Sequence, residues 1–488
     1  LQSELISSKG YPVEEHQAIT SDGYVIGIQR IPRGINENPN ATSSNKTTIL
    51  LQHGILGASS DFVINFANQS LGFILVDAGY DVWLGNSRGN TYSGHVSLTR
   101  DDKKFWEFSA DDIASKDLPT MIDTVLRVTG KTRLQYVGVS QGVLVMMALL
   151  SEKPEYNKKI SLISAMAPVP YLGHVRAPVR LLVPFAVSVC FSFDILKIYG
   201  NGQCLPASND IANLCNGIAG TTLCTDIQFL VAGVDPKQLN KTRLSVYFSH
   251  YPAGSSVNNI LQLAQLIRCD CFQKFDYGSL NNIAKYGQVN PPQYMLSRVT
   301  VPVAIYWSKG DWLATTMDVA RLRKELKNVV VYYQVPEEKF THFDFTWGIN
   351  AEPILYRKMI LHHKHTVKTA STNPGPFLKK SLFELKYYTL YFCSLALLLT
   401  RRSFSEKVSV DPDSLRNVSE LISSKGYTVE EHEVVTRDGY VIGIQRIPRG
   451  KNESPDATSS DKTTILLQHG ILGASSDYVL NFPNQSLG

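Results

Sequence analysis

Five residues constrain this chain most tightly: Gly138-Val139-Ser140-Gln141-Gly142. Before them, Arg133 to Val139 (RLQYVGV) is a short β-branched and aromatic run; after them, Val143 to Leu150 (VLVMMALL) is continuously apolar and helix-forming. That order predicts a strand, a sharp turn and a buried helix. A glycine on each side leaves room for a turn so tight that the serine backbone is strained and its hydroxyl stands above the sheet edge.

The surrounding sequence repeats the alternation. Tyr24 to Ile31 (YVIGIQRI) reads as a hairpin strand after the turn Ser21-Asp22-Gly23, and Thr47 to Gln52 (TTILLQ) as a buried strand. Phe73 to Gly79 predicts a helix closed by glycine, Tyr80 to Leu84 a strand, and Asp111 to Thr129 a helix opened by the capping pair Ser109 and Asp112. Ile160 to Ala167, Val301 to Trp307 and Val329 to Val335 are further buried strands. Strands alternating with helices predict an α/β fold, a mostly parallel sheet flanked by helices. From about 171 to 297 the alternation lapses into helical sequence carrying most of the cysteines, which reads as an inserted cap or lid. Its apolar run Leu181 to Phe193 contains Pro184 and ends at Asp194, too short and broken to span a bilayer.

At 488 residues the chain exceeds one ordinary domain, and its 43% hydrophobic, 19% charged composition is that of a protein with a large core. A net charge of +5 without Lys/Arg blocks among stacking aromatics argues against nucleic acid as a partner. Seven cysteines are too sparse for a disulfide scaffold but suit an oxidising compartment. The sequons at Asn40, Asn45, Asn68 and Asn240 point the same way, to a secretory route.

A serine hydroxyl is a poor nucleophile unless a histidine accepts its proton, and that imidazole needs a carboxylate to fix its tautomer and steady its charge. Where a strand-to-helix turn presents the serine, the chain order is serine, acid, histidine. Asp311 and His342 each fall just past a predicted strand, where functional groups of parallel sheets collect. Ser140, Asp311 and His342 are therefore the catalytic candidates. Asp194, Asp235 and Asp276 lie in the cap-like region, and Asp344 is two residues from His342, too close to orient it naturally. His53, His95, His174 and His250 precede the acid; His362, His363 and His365 sit in a basic stretch after the last predicted helix. His53-Gly54-Ile55-Leu56-Gly57 ends a buried strand in a glycine-bearing loop that can aim a backbone N–H at a reacting carbonyl oxygen, with His53 ordering the turn. Gly85-Asn86-Ser87-Arg88-Gly89-Asn90 lacks the G-K-[ST] ending of a phosphate loop.

LLQHGILGAS, DAGYDVWLGNSRGN, YVGVSQG, FSHYPAGSSVNN and THFDFTW closely resemble the acid lipases, the gastric and lysosomal group of α/β-hydrolases, over about residues 3–360. The resemblance implies a triacylglycerol or cholesteryl ester lipase with a helical cap and lid, secreted or delivered to lysosomes, using no metal and no cofactor. Its partner would be a lipid ester at an oil–water or membrane interface. It carries the nucleophile onto Ser140, the acid onto Asp311, the base onto His342, the oxyanion donors onto the N–H groups of Ile55 and Gln141, and a cap disulfide onto Cys215 and Cys224. Pairing among Cys190, Cys204, Cys269 and Cys271 stays open. Two positions depart from the family: Val139 stands where histidine is usual, and Thr315-Thr316 replaces a usual Asp-Pro. The alternatives are a soluble carboxylesterase of shorter-chain esters and a non-catalytic lipid-binding protein on the same scaffold.

Residues 3–72 and 419–488 are near-copies, sharing SELISSKGY, DGYVIGIQRIPRG and KTTILLQHGILGASSD in both. Ahead of the second copy, Lys379-Lys380 and Lys386 precede Tyr387 to Leu399 (YYTLYFCSLALLL), the length of a signal-peptide core and short for a membrane span. The expected organisation is a hydrolase unit at 1–363, a linker at 364–418 and a truncated second copy at 419–488. That copy keeps His469-Gly470-Ile471, ends before any serine elbow, and is expected to fold poorly or pack weakly.

Overall fold

Strands that are apolar at every position, rather than every second one, must be covered on both faces. The computed structural model bears on residues 2–38, 45–176, 178, 180, 202–205, 215, 217–370, 417–436, 441–450, 453 and 465–467. Asn40, the run 181–193 with Cys190, Asp194, the segment 387–399 and His469-Gly470-Ile471 lie outside the described residues. The strands of the first unit are β1 (Glu14–Ile19), β2 (Tyr24–Ile31), β3 (Thr48–Gln52), β4 (Asp81–Gly85), β5 (Ser93–His95), β6 (Leu134–Val139), β7 (Ile160–Met166), β8 (Gln203–Cys204), β9 (Ser255–Ser256), β10 (Val303–Trp307) and β11 (Val329–Gln334).

Nine of them form one sheet in the order β1-β2-β4-β3-β6-β7-β10-β11, with β5 beside β2. β3, β4, β6 and β10 are buried at every residue, and β1 and β11 at the edges are only partly covered. The six strands from β4 to β11 run parallel, while β1, β2 and β5 pair antiparallel. Register aligns their ends: Gln52 faces Gly138, Gly138 faces Ala165, and Met166 faces Tyr306. The carboxyl ends of β3, β6 and β10 therefore open on one edge, the place where α/β sheets assemble sites.

Helices Leu71–Asp77, Leu118–Thr129, Gln141–Glu152, Thr316–Glu325 and Arg357–Ala370 accompany this sheet. Two depart from the sequence expectation. The helix expected from Asp111 is interrupted by a π-helical stretch, Ile113–Asp117, just before Pro119. Proline has no N–H to donate to the preceding turn, and within the stretch the buried Asp117 carboxylate accepts from the Arg88 N–H (2.9 Å) and Nε (2.8 Å). The last helix does not end before the histidines: it runs to Ala370 and carries positions 362, 363 and 365. His363 is buried there, its ring 2.6 Å from the Ser164 hydroxyl of β7.

The inserted region holds helices Gly217–Ala232, Leu244–His250, Val257–Cys269 and Ser279–Tyr286. Disulfides join Cys215 to Cys224 and Cys269 to Cys271, and Cys204 is buried. Ile64, Leu239, Leu244, Tyr247 and Trp347 form a separate small core here, with Tyr247 stacked on Trp347 at 5.0 Å.

The chain divides into two compact units, 1–375 and 376–488. In the second, helix Val418–Ser424 and the hairpin β12 (Glu430–Val435) and β13 (Val441–Arg446) enclose, among the described residues, only Leu421 and Ile422, with a few half-buried neighbours.

Candidate active site

The turn after β6 has the strain its sequence implies. Ser140 adopts φ 54° and ψ −117°, a region that costs a residue with a side chain about 1–3 kcal/mol. Its N–H donates to the Met166 carbonyl at the end of β7 (3.0 Å), and helix Gln141–Glu152 begins at once. A Cβ on Gly142 would lie 2.5 Å from the Gln52 carbonyl oxygen, and one on Gly138 would lie 2.8 Å from the Gly142 carbonyl carbon. Both glycines are thus demanded by close backbone approach. Val139, buried between them, fits without needing a polar partner.

Asp311 follows β10 and His342 follows β11. The two meet: His342 Nδ1 lies 2.8 Å from Asp311 Oδ2, both side chains buried. The other carboxylate oxygen accepts the N–H groups of Leu313 and Ala314, each at 2.8 Å. A carboxylate held at both oxygens is an acceptor, so Nδ1 carries a proton and, in the neutral ring, the lone pair sits on Nε2. The cap pins both loops, because the Ala232 carbonyl accepts the N–H of Trp312 (3.3 Å) and of His342 (3.4 Å). The Ser140 hydroxyl and the His342 ring share no hydrogen bond in this structure. Such bonds often tighten only once substrate is bound.

Beside Ser140 lies the loop after β3. A Cβ on Gly54 would come within 3.1 Å of Ser140 Cβ and 3.6 Å of its hydroxyl oxygen. Among the described residues neither the Ile55 N–H nor the Gln141 N–H donates to a protein acceptor. Gln141 is the first residue of its helix, where N–H groups lack intrahelical partners and the dipole favours negative charge. His53 orders this loop: its ring accepts the Ser87 N–H at Nε2 (3.2 Å), so Nδ1 donates to the Gly54 carbonyl (2.7 Å). Burial pushes its pKa down to about 4, keeping that tautomer neutral.

The remaining candidates are engaged elsewhere. His174 pairs with Asp318 (2.7 Å), His250 with Tyr92 (3.2 Å), and His95 with the Asp22 carbonyl (2.9 Å). Asp344 bonds to the Thr341 N–H (2.5 Å), bracing the loop that carries His342, and burial pushes its carboxyl up to about 7. Thr315, in the place of the family's usual Asp-Pro, caps helix Thr316–Glu325 by accepting the Asp318 N–H. His174, Asp270 and Asp318 bring ligand atoms within 4.8 Å of one another, yet Asp318 already accepts from the His174 N–H, its ring and the Thr315 hydroxyl. Of the sequons, Asn45 and Asn68 are exposed and Asn240 half-buried.

Sequence reasoning missed the buried Asp61, the Ala232 carbonyl and Asn259. Asn259 lies within FSHYPAGSSVNN, but no spacing rule pairs it with Gln141, 118 residues away.

Comparison with known proteins agrees in extent. Residues 47–186 match the pattern described as alpha/beta hydrolase fold, and residues 2–66 and again 418–482 match the partial alpha/beta-hydrolase lipase region. Lysosomal acid lipase/cholesteryl ester hydrolase of Homo sapiens is 39% identical over 365 residues, covering 73% of this chain and 89% of that protein. Lipase member M of Homo sapiens is 37% identical over 379 residues, covering 76% and 86%. Gastric triacylglycerol lipase of Rattus norvegicus is 37% identical over 364 residues, covering 73% and 90%.

Proposed function

Since this chain belongs to the acid lipase family of α/β-hydrolases, we propose that Ser140, His342 and Asp311 cleave the ester bond of neutral lipids through an acyl-enzyme. The chain is a lipid ester hydrolase, a serine carboxylic-ester hydrolase of secreted or lysosomal type. Its substrates are triacylglycerols or cholesteryl esters, the substrates in the names of its relatives, taken from an oil–water or membrane interface beneath the cap.

His342 Nε2 accepts the Ser140 proton as the hydroxyl oxygen attacks the acyl carbon. The N–H groups of Ile55 and Gln141 receive the oxyanion, each such donor contributing about 10²- to 10³-fold. His342 then protonates the departing alcohol, and a water activated by the same imidazole releases the fatty acid. The observation that carries this reading is the buried 2.8 Å contact between His342 Nδ1 and Asp311, itself oriented by two backbone N–H groups. The same reading makes Asn40, Asn45, Asn68 and Asn240 acceptors of N-linked glycans. It also makes 1–363 the catalytic unit, 364–418 a linker and 419–488 a second copy of the first unit's opening residues.

A fluorophosphonate should label wild-type protein and spare Ser140→Ala, with hydrolysis of emulsified triolein lost in parallel. Folded wild-type protein that resists the reagent would overturn the assignment in favour of a lipid-binding scaffold.

A further inference from the structure

We propose that Asn259 is a positioning residue for the oxyanion hole, its side-chain amide locking that of Gln141 and with it the first turn of the helix behind Ser140. This rests on the hydrolase reading above. Both residues are buried. Gln141 Nε2 donates to Asn259 Oδ1 at 2.7 Å, and Asn259 Nδ2 donates back to Gln141 Oε1 at 3.2 Å and to the Ser255 hydroxyl at 2.9 Å. Both N–H bonds and the oxygen of the Asn259 amide are thus used, which leaves it one orientation.

Asn259 is itself fixed from behind. Its backbone N–H donates to the hydroxyl of Ser256, the N-cap of helix Val257–Cys269, and that hydroxyl donates to the Phe108 carbonyl at 2.5 Å. The same stretch of the cap braces the other lip of the hole: the Ala253 N–H donates to the Leu56 carbonyl (2.6 Å) and the Tyr251 hydroxyl to the Ile55 carbonyl (3.4 Å). Residues 251–259 therefore touch the neighbourhoods of both proposed donors.

The physical need for the pair follows from what Gln141 is asked to do. Its backbone N–H must point at the developing oxyanion, while its long side chain starts from the same Cα beside the nucleophile. A buried amide stripped of its partners loses about 1–3 kcal/mol for each unsatisfied group. It recovers that by turning to other polar atoms, and any such turn starts from the Cα that also carries the donor N–H. Asn259 removes that alternative by satisfying the amide on the side facing the cap.

The test uses the full-length protein, a soluble p-nitrophenyl ester and fluorophosphonate titration of active sites, so that kcat is counted per competent serine. Asn259→Leu should lower kcat about 10- to 100-fold with KM within about threefold, the pattern of a misplaced transition-state donor. In a Gln141→Leu background the same change should cost nothing further, because both halves of the polar pair are then gone. Asn259→Asp, close to isosteric, keeps the acceptor, loses the donors and sets a carboxyl near the oxyanion. Its kcat should fall further below wild type as pH rises through the carboxyl range, and it decides the matter if the leucine variant does not fold.

Two results would overturn the proposal: kcat per titrated site within twofold of wild type in both single variants, or a loss confined to the titratable fraction. The latter marks a purely structural role. If wild-type protein resists the fluorophosphonate, the hydrolase reading itself fails, a result distinct from a labelled, active wild type whose variants keep full kcat.

Discussion

Ile26 and Ile28 of β2 are fully buried, whereas Ile442 and Ile444, at the same places in the repeat, are 49% and 36% exposed. The hairpins are otherwise alike. Glu14 faces Arg30 and Ile19 faces Val25 in the first copy; Glu430 faces Arg446 and Val435 faces Val441 in the second. Even the ion pair recurs, Arg30 with Glu14 at 2.9 Å and Arg446 with Glu430 at 2.8 Å. What differs is the neighbour. β2 is also paired with β4 and β5, and Arg30 reaches on to Asp81 of β4 at 2.7 Å, while among the described residues the sheet of β12 and β13 has only those two strands. Local sequence is enough to set hairpin register, but burial comes from strands brought in from elsewhere in the chain.

Activity should therefore belong wholly to the first copy and the sheet it joins. Asp311→Asn is expected to lower kcat by about 10³- to 10⁴-fold, because the amide no longer fixes the productive imidazole tautomer. Deleting 376–488 should leave turnover within about twofold. A deletion variant that lost activity would break the contrast between the copies. Amide hydrogen exchange sharpens it: Ile26 and Ile28 should exchange at least about a thousandfold more slowly than Ile442 and Ile444, since only the former require the large sheet to open.

The same contrast explains what was legible beforehand. The elbow could be read because its constraint is local: glycines at 138 and 142, an apolar strand before and an apolar helix after. Asp311 and His342 could be read because parallel strands deliver their following loops to one edge, whatever the cap does. Asn259 could not, since its partner is fixed only by the packing of the cap on the elbow. The π-helical stretch at Ile113–Asp117 was hidden for a similar reason, as the pull of Arg88 on Asp117 comes from the loop after β4. His363 read only as part of a basic stretch beyond the last predicted helix, because its polar partner is a serine inside β7.

Point substitutions at equivalent isoleucines put a magnitude on the difference. Ile28→Ala removes a fully buried side chain and should destabilise the first unit by about 2–5 kcal/mol in a denaturant titration. Ile444→Ala, already partly in water, should change stability by no more than about 0.5 kcal/mol. Equal losses at the two positions would mean that the second hairpin finds a buried face in solution.

The gentlest probe is pH, because the buried carboxyls that respond to it belong to the first unit. Asp61, beside the oxyanion loop, has one carboxylate oxygen without a hydrogen-bond partner, and a Cβ on Gly57 would lie 2.3 Å from the other. Its charge is felt by the Tyr92 and Tyr251 hydroxyls, and burial pushes its carboxyl up to about 7. In the unfolded chain an aspartate releases its proton near ~3.9. Between those values the native state holds a proton that the unfolded state has lost, so the stabilisation is complete below about pH 4 and declines as pH rises through 7. Each raised carboxyl, Asp344 as well as Asp61, should thus take away roughly 2–4 kcal/mol between pH 4 and pH 8, while the buried His53 and His363, whose pKa burial lowers, act in the opposite sense. Asp61→Asn keeps the shape and cannot ionise, so its Tm at pH 8 relative to pH 4 should stand higher than that of wild type. Deletion of 376–488 should leave the slope as it was. An unchanged slope in Asp61→Asn would place the titrating group elsewhere, and a flattened slope in the deletion variant would assign it to the second copy.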